Sequence, residues 1–216
     1  MPGFNFFVSG IEDGMIQLLQ TLSVKNDPPG YLKKIDSYGG ELNEKVLASY
    51  LQEIASNVPL ALVTYGGAEE VLSPPLPAVF GEPRIVEHRC TFGVIYCAGD
   101  ARGERAQRRG IAGKPGVYQM IEDGKQLFGG LQLRRADPDN DDQLTLLTLD
   151  PLTEAGIDYV ARLPGLTAYM QHFDTRFKWT EPDRRSEPID VDQLIFDVQP
   201  IGEAGGPGGK PGVVLE

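Results

Sequence analysis

The chain has 216 residues and a formal net charge of −11, a length that suits one domain, with or without a long arm, and leaves no room for two full cores. The acidic balance excludes a free-standing nucleic-acid binder, which needs a basic face to neutralise phosphates; an acidic surface suits instead a channel wall along which DNA slides without sticking. Apolar residues make up 41%, while 26 Gly and 17 Pro mark many turns and long connections.

At the N-terminus, Phe4, Phe6, Phe7 and Val8 form a short apolar patch without a basic region, which is neither a signal peptide nor a membrane span. No window approaches the roughly 18 apolar residues of a transmembrane helix, so the expectation is a soluble, intracellular protein with no membrane partner. Ser9-Gly10-Ile11-Glu12 has the form of a capping box, and Ile11, Met15, Ile16, Leu19 and Leu22 recur on one helical face, with Pro28-Pro29-Gly30 as the stop. A second helix follows Gly39-Gly40: Leu42, Val46, Leu47, Tyr50, Leu51, Ile54 and Val58 keep the helical period until Pro59.

Residues 60–65 form a short apolar run closed by Gly66-Gly67, a buried strand. The proline-rich stretch 72–83 reads as a surface connection. Residues 85–98 are the longest strand candidate. Its first half alternates, with Glu87, Arg89 and Thr91 opposite Val86, His88, Cys90 and Phe92. Its second half, Val94-Ile95-Tyr96-Cys97, is apolar on both faces and therefore central. The Gly- and Arg-rich segment 99–116 has hardly any core-forming residues. A third helix is predicted over 117–128, with Val117, Met120, Ile121, Leu127 and Phe128 inward and Gly129-Gly130 as the stop. Strands at 131–135 and 144–149 flank a turn at 137–142. Residues 166–179 alternate strongly, Tyr169, Phe173, Phe177 and Trp179 against His172, Asp174, Arg176 and Lys178. A charged break at 181–187 precedes a last apolar run at 189–201, and the Gly-rich end carries Val213-Val214-Leu215; this arm is either dispensable or a strap that adds to a neighbour's sheet.

The predicted class is α+β: a mixed, largely antiparallel sheet with two or three helices packed on one face, plus an extended C-terminal arm. The domain spans 1–180 and the arm 181–216.

Residues for chemistry are scarce. Cys90 and Cys97 lie seven positions apart in one strand, hence on opposite faces and about 23 Å apart, too far for a disulfide. They read as reduced core residues. His88 and His172 alternate among ordinary strand residues, with no partners at metal-ligand spacing. Gly110-Ile111-Ala112-Gly113-Lys114-Pro115 lacks the spacing and the Lys-Ser/Thr pair of a phosphate loop. The aspartates at 137–142 lack the Gly and Glu of a calcium loop and read as a hairpin turn. No catalytic residue, cofactor or metal is predicted. The one basic cluster, Arg102, Arg105, Arg108, Arg109 and Lys114, has three readings: an exposed loop without a partner, a contact to an acidic surface on another copy or a neighbouring protein, or a contact to nucleic acid.

Several stretches carry a resemblance: Ile11-Glu12-Asp13; Ser37-Tyr38-Gly39-Gly40-Glu41-Leu42; Pro59-Leu60-Ala61-Leu62-Val63-Thr64-Tyr65-Gly66-Gly67; and Phe92-Gly93-Val94-Ile95-Tyr96. After the arginine-bearing stretch come Gly116-Val117-Tyr118-Gln119-Met120-Ile121-Glu122-Asp123 and Tyr169-Met170-Gln171-His172-Phe173-Asp174-Thr175. In this order they resemble the Mu-like phage proteins encoded between the head-completion genes and the tail-sheath gene, the tail terminator family. The resemblance covers roughly residues 10–180. It implies no enzyme but a virion subunit of the tail or neck, found in the host cytoplasm during assembly. Such a subunit forms a ring, commonly six-fold, with copies of itself. The ring caps the tail tube, stops its polymerisation and meets the head–tail connector, and the sheath where the tail has one, while genomic DNA passes through without sequence-specific binding. The alternatives are a head–tail connector or collar subunit, which the long arm suits, and a small ligand-binding protein or enzyme, which would need a convergent polar pocket.

Overall fold

The computed structural model describes residues 7–26, 30–39, 44–72, 84–137 and 140–181. In chain order the elements are α1 (Phe7–Gln20), β1 (Lys34–Ser37), α2 (Glu44–Glu53), β2 (Leu60–Leu72), β3 (Arg84–Gly99), α3 (Glu104–Arg109), α4 (Val117–Phe128), β4 (Arg134–Asp137), β5 (Asn140–Leu146), β6 (Thr153–Leu163) and β7 (Leu166–Glu181). Five strands make one sheet in the order β1-β2-β3-β7-β6, and β4 and β5 form a separate two-stranded ribbon. Only β1 and β2 run parallel; the other neighbours are antiparallel. The fold is α+β with a mixed, largely antiparallel sheet.

The sheet is organised by β3. Residues 92–98 are all buried, as expected for a strand apolar on both sides. Phe92, Val94, Tyr96 and Ala98 pack with Ile11, Met15 and Leu19 of α1 and with Val117, Met120 and Phe128 of α4. Ile95 and Cys97 face the opposite side, with Leu47 and Leu51 of α2 and with Leu60, Leu62 and Ala168. The expectation of helices on one face holds for α1 and α4, and α2 departs from it. Its position follows from β3, whose second apolar face must also be covered. Cys90 and Cys97 belong to opposite cores, both free and buried. Burial pushes both thiols up to about 12, which makes them inert packing residues.

Several boundaries differ from expectation. Helix α1 begins at Phe7, so Ser9 lies inside its first turn instead of capping it, and the helix ends at Gln20, ahead of the prolines. Its buried residues Ile11, Met15 and Leu19 keep a strict four-residue spacing. Beside them, Gly10 and Gly14 let Leu147 and Leu133 approach: an added Cβ would lie 3.4 Å and 3.3 Å from those side chains. Helix α2 is shorter than predicted, and a 3-10 turn at Ala55–Asn57 follows it; Val46 is 47% exposed, and Leu42 lies outside the described residues. Strand β2 does not stop at Gly66-Gly67. The register shifts there, between Tyr65 and Gly67, and pairing with β3 resumes. The glycines make a bulge, with Gly67 at φ 119. The expected connection 72–83 and the C-terminal arm fall outside the described residues after Leu72 and Glu181, respectively.

One close contact sets the distance between α4 and the sheet. A Cβ at Gly124 would lie 2.0 Å from the Tyr96 hydroxyl and 2.8 Å from Gln171 Oε1. Both atoms are buried and make no hydrogen bond among the described residues. Gly124→Ala therefore lifts α4 off β3 and is predicted to cost about 1–3 kcal/mol. Thermal unfolding checks this, and adding Tyr96→Phe, which deletes the obstructing hydroxyl, recovers part of the loss in a double-mutant cycle.

Candidate functional site: a basic platform at one end of the sheet

The segment 99–116 contributes no hydrophobic residue to the core, as its composition implies, but it is fastened by polar contacts. It leaves β3 where Gly99 pairs with Leu166, and Asp100 N–H donates to the Gly165 carbonyl at 3.1 Å. The Asp100 carboxylate accepts from the Arg102 backbone N–H at 2.8 Å, closing the turn. Helix α3 then follows, with Gln107 buried beneath it. Gln107 Nε2 donates to the Asp100 carbonyl at 2.9 Å, and its Oε1 accepts from the Thr167 hydroxyl at 2.6 Å. One buried amide thus fastens the helix both to the end of β3 and to the start of β7. Behind the helix, Gly110 and Gly116 bring two backbones together: a Cβ at Gly116 would lie 2.2 Å from Gly110 N, so neither strand of this return tolerates a side chain there.

The five predicted interface residues divide on this platform. Arg105 and Arg109, four positions apart on α3, lie on the helix face away from Gln107 and are exposed. Arg102 and Lys114 are exposed on the flanking turns. Arg108 turns inward. It pairs with Glu104 at 3.3 Å, donates to the Tyr118 hydroxyl at 3.1 Å and lies over the Tyr118 ring at 5.9 Å. Glu104 is shared with Arg162 of β6 at 3.0 Å, so one carboxylate holds two guanidiniums and the neighbourhood stays positive. Arg108 is therefore a structural joint between α3 and α4, Glu104 adds the link to β6, and the outward charge comes from the other four cations.

Beside the platform lies an aromatic patch that the sequence reading did not reach. The Tyr118 and Tyr159 rings meet Tyr169 edge-on, at 6.0 Å and 5.4 Å. Tyr159 is 52% and Ile157 44% exposed on β6, and the outer edge of β6 has no strand partner among the described residues. The alternation Thr153, Ala155, Ile157, Tyr159, Ala161, Leu163 was the available signal for this strand. Bulges at Ala155 and Val160 then shift the alternation relative to the sheet faces.

The remaining polar groups pair locally. His172 Nε2 lies 2.9 Å from Asp158, and His88 stacks on Phe177 at 5.4 Å. Arg176 joins Asp150 and Glu87 at the rim of an open cleft of 560 Å³, and its hydrogen bond holds the Asp150 carboxyl below its ordinary range. Lys125 does the same to Glu154 at 2.8 Å. Among the described residues no group of His, Cys, Asp and Glu is arranged to hold a metal ion, and no helix is long and apolar enough to cross a membrane.

Gln107→Ala removes both fastenings at once, leaving the Thr167 hydroxyl without its acceptor and the Asp100 carbonyl with only the Gly103 N–H, at 3.4 Å. The predicted loss is about 1–3 kcal/mol. Amide exchange at residues 104–110 should quicken more than exchange at β3, where the pairing is untouched.

A family model described as Bacteriophage Mu, Gp37 matches residues 7–178. No curated protein matches the chain. The matched span runs from the first residue of α1 to within three residues of the end of β7 and takes in the sheet, both cores and the basic platform. On that coverage, the chain belongs to the Bacteriophage Mu Gp37 family.

Proposed function

We propose that the chain is a structural subunit of the phage virion, a tail terminator that forms a ring, hexameric in this reading, on the last ring of tail tube. There it stops polymerisation and presents a surface to the connector proteins of the head, and to the sheath where there is one. It works without catalysis, and genomic DNA passes through its lumen without sequence-specific binding. The observation that carries this reading is the basic platform within a family-matched acidic chain. Arg102, Arg105, Arg109 and Lys114 stand outward on a rigid base, while the whole chain carries −11. A ring joins one face of each subunit to a different face of the next, and a concentrated positive patch on an otherwise acidic surface offers two complementary faces. A pre-fastened helix also loses less freedom on contact than a free loop would. An acidic lumen wall would repel the phosphate backbone and let DNA move.

The division of the arginines sharpens the test. Arg105→Glu with Arg109→Glu should weaken self-assembly or binding to tail tubes by about tenfold or more, with unfolding unchanged. Arg108→Glu should instead lower stability, because it breaks the joint to Glu104 and Tyr118. Sedimentation and thermal unfolding of the two variants read these outcomes separately; unchanged assembly in the Arg105/Arg109 variant removes the platform from the interface.

The function itself is tested by tail length in lysates of phage lacking the protein, measured by negative-stain microscopy. Overlong, heterogeneous tails are expected. Tails of normal length detached from filled heads would make the subunit a connector and reject the terminator.

A further inference from the structure

The aromatic patch beside the platform has the chemistry of a docking strip. On β6, Ile157 and Tyr159 stand beside Gln171 and Tyr169 of β7, continuing the Tyr118–Tyr169–Tyr159 row toward the edge that has no strand partner among the described residues. Two ion pairs border it, Arg162 with Glu104 at 3.0 Å and Lys125 with Glu154 at 2.8 Å, and the two cations keep 62% and 67% of their side chains exposed. The strip is thus apolar with half-used cations at its borders, along a strand of 11 residues.

The chain itself supplies an apolar segment that could share those cations. Residues 189–199 carry Ile189, Val191, Leu194, Ile195, Phe196 and Val198, with Asp190, Asp192 and Asp197 among them and no Lys or Arg. The reach is sufficient. Strand β7 runs seven residues past Asp174, the partner of Thr153 at the start of β6, and ends at Glu181. Returning over that distance and crossing two strand spacings requires about 25 Å, and the eight steps from Glu181 to Ile189 cover up to about 28 Å. A chain that turns back from β7 runs parallel to β6, so residues 189–199 match its length. A tether this short raises the local concentration of the segment to the millimolar range, which favours its own strip over that of another molecule.

We propose that residues 189–199 fold back onto the Ile157–Tyr159 strip of the same chain, with their aspartates toward Arg162 and Lys125. The bulges in β6 interrupt a continuous backbone ladder, so the contact is carried by side chains, with Leu194, Phe196 and Val198 over the tyrosines.

Disulfide trapping in the full-length chain tests this. The native cysteines are buried and do not compete. Ile157→Cys is combined with Phe196→Cys, or with Leu194→Cys to allow for register, and the control joins Phe196→Cys to Val46→Cys on the opposite face of the sheet. The expected result is a disulfide within one chain that forms at least about tenfold faster than in the control and slows as salt is raised. Trapping no faster than the control overturns the proposal, as does trapping mainly between chains at micromolar protein, which would make a second copy the occupant. Neither result bears on tail length, so the terminator reading stands or falls separately.

Discussion

The constraint on which the rest of the molecule depends is that β3 is apolar on both faces. Seven consecutive buried residues, 92–98, cannot be served by a sheet with one face in water. Two strands must flank β3 and two layers must cover it. Strands β2 and β7 take the flanks, with 16 residues of β7 matched to β3 in unbroken register. Helices α1 and α4 take one face and α2 the other. The two cores differ in kind. The larger holds Phe92, Tyr96, Phe128 and Phe173, with Phe128 and Phe173 edge-on at 5.1 Å. The smaller, under α2, is aliphatic at its centre with Tyr38 at its rim.

The platform inherits its rigidity from that arrangement. Segment 99–116 begins where β3 leaves the core, and Gln107 reaches back to Asp100 and Thr167 at that point. An exposed six-residue helix would be marginal alone. Here a buried amide with both its donor and its acceptor engaged fixes it to two strand ends, and the neighbouring Glu104–Arg108–Tyr118 cluster ties it laterally to α4. Charge and order thus coincide: four cations that would be diffuse on a loop are held in one place relative to the sheet.

What the sequence made legible was whatever the hydrophobic period expressed without interruption. The double apolar face of β3, the alternation of β7 and the inward stripe of α4 were each readable, because burial alone decides those positions. The opposite-face placement of Cys90 and Cys97 followed from strand parity. Three features were not readable for identifiable reasons. Gly66-Gly67 looks like a stop and acts as a bulge, since only the partner strand decides whether pairing resumes. Strand β6 is an edge with exposed residues and two bulges, so its pattern is weak although present. The basic segment was found by composition, but its order rests on Gln107, a residue type whose burial is announced by no pattern and becomes favourable only when two partners meet it. For the same reason Arg108 could not be told from Arg105 or Arg109 before its partners Glu104 and Tyr118 were placed.

The distribution of perturbed ionisable groups bears on the functional reading. In enzymes, shifted groups converge in one cleft, where burial and neighbouring charges tune them for a task. Here the upward shifts of Tyr31, Tyr96, Cys90 and Cys97 come first from burial, in cores occupied by side chains. The downward shifts of Asp150 and Glu154 come first from hydrogen bonds to surface cations, Arg176 and Lys125. A part-buried polar link, Tyr31 donating to Asp123 at 2.7 Å, joins the segment after α1 to α4, and so belongs to packing. Two causes therefore act at separate places: burial in the cores and ion pairing at the surface. What the molecule concentrates instead is surface: a cationic platform and an aromatic strip, side by side on rigid elements, at the end of a sheet braced on both faces. The proposed role as an assembling subunit draws on that allocation, because a ring needs two different faces held in fixed relation.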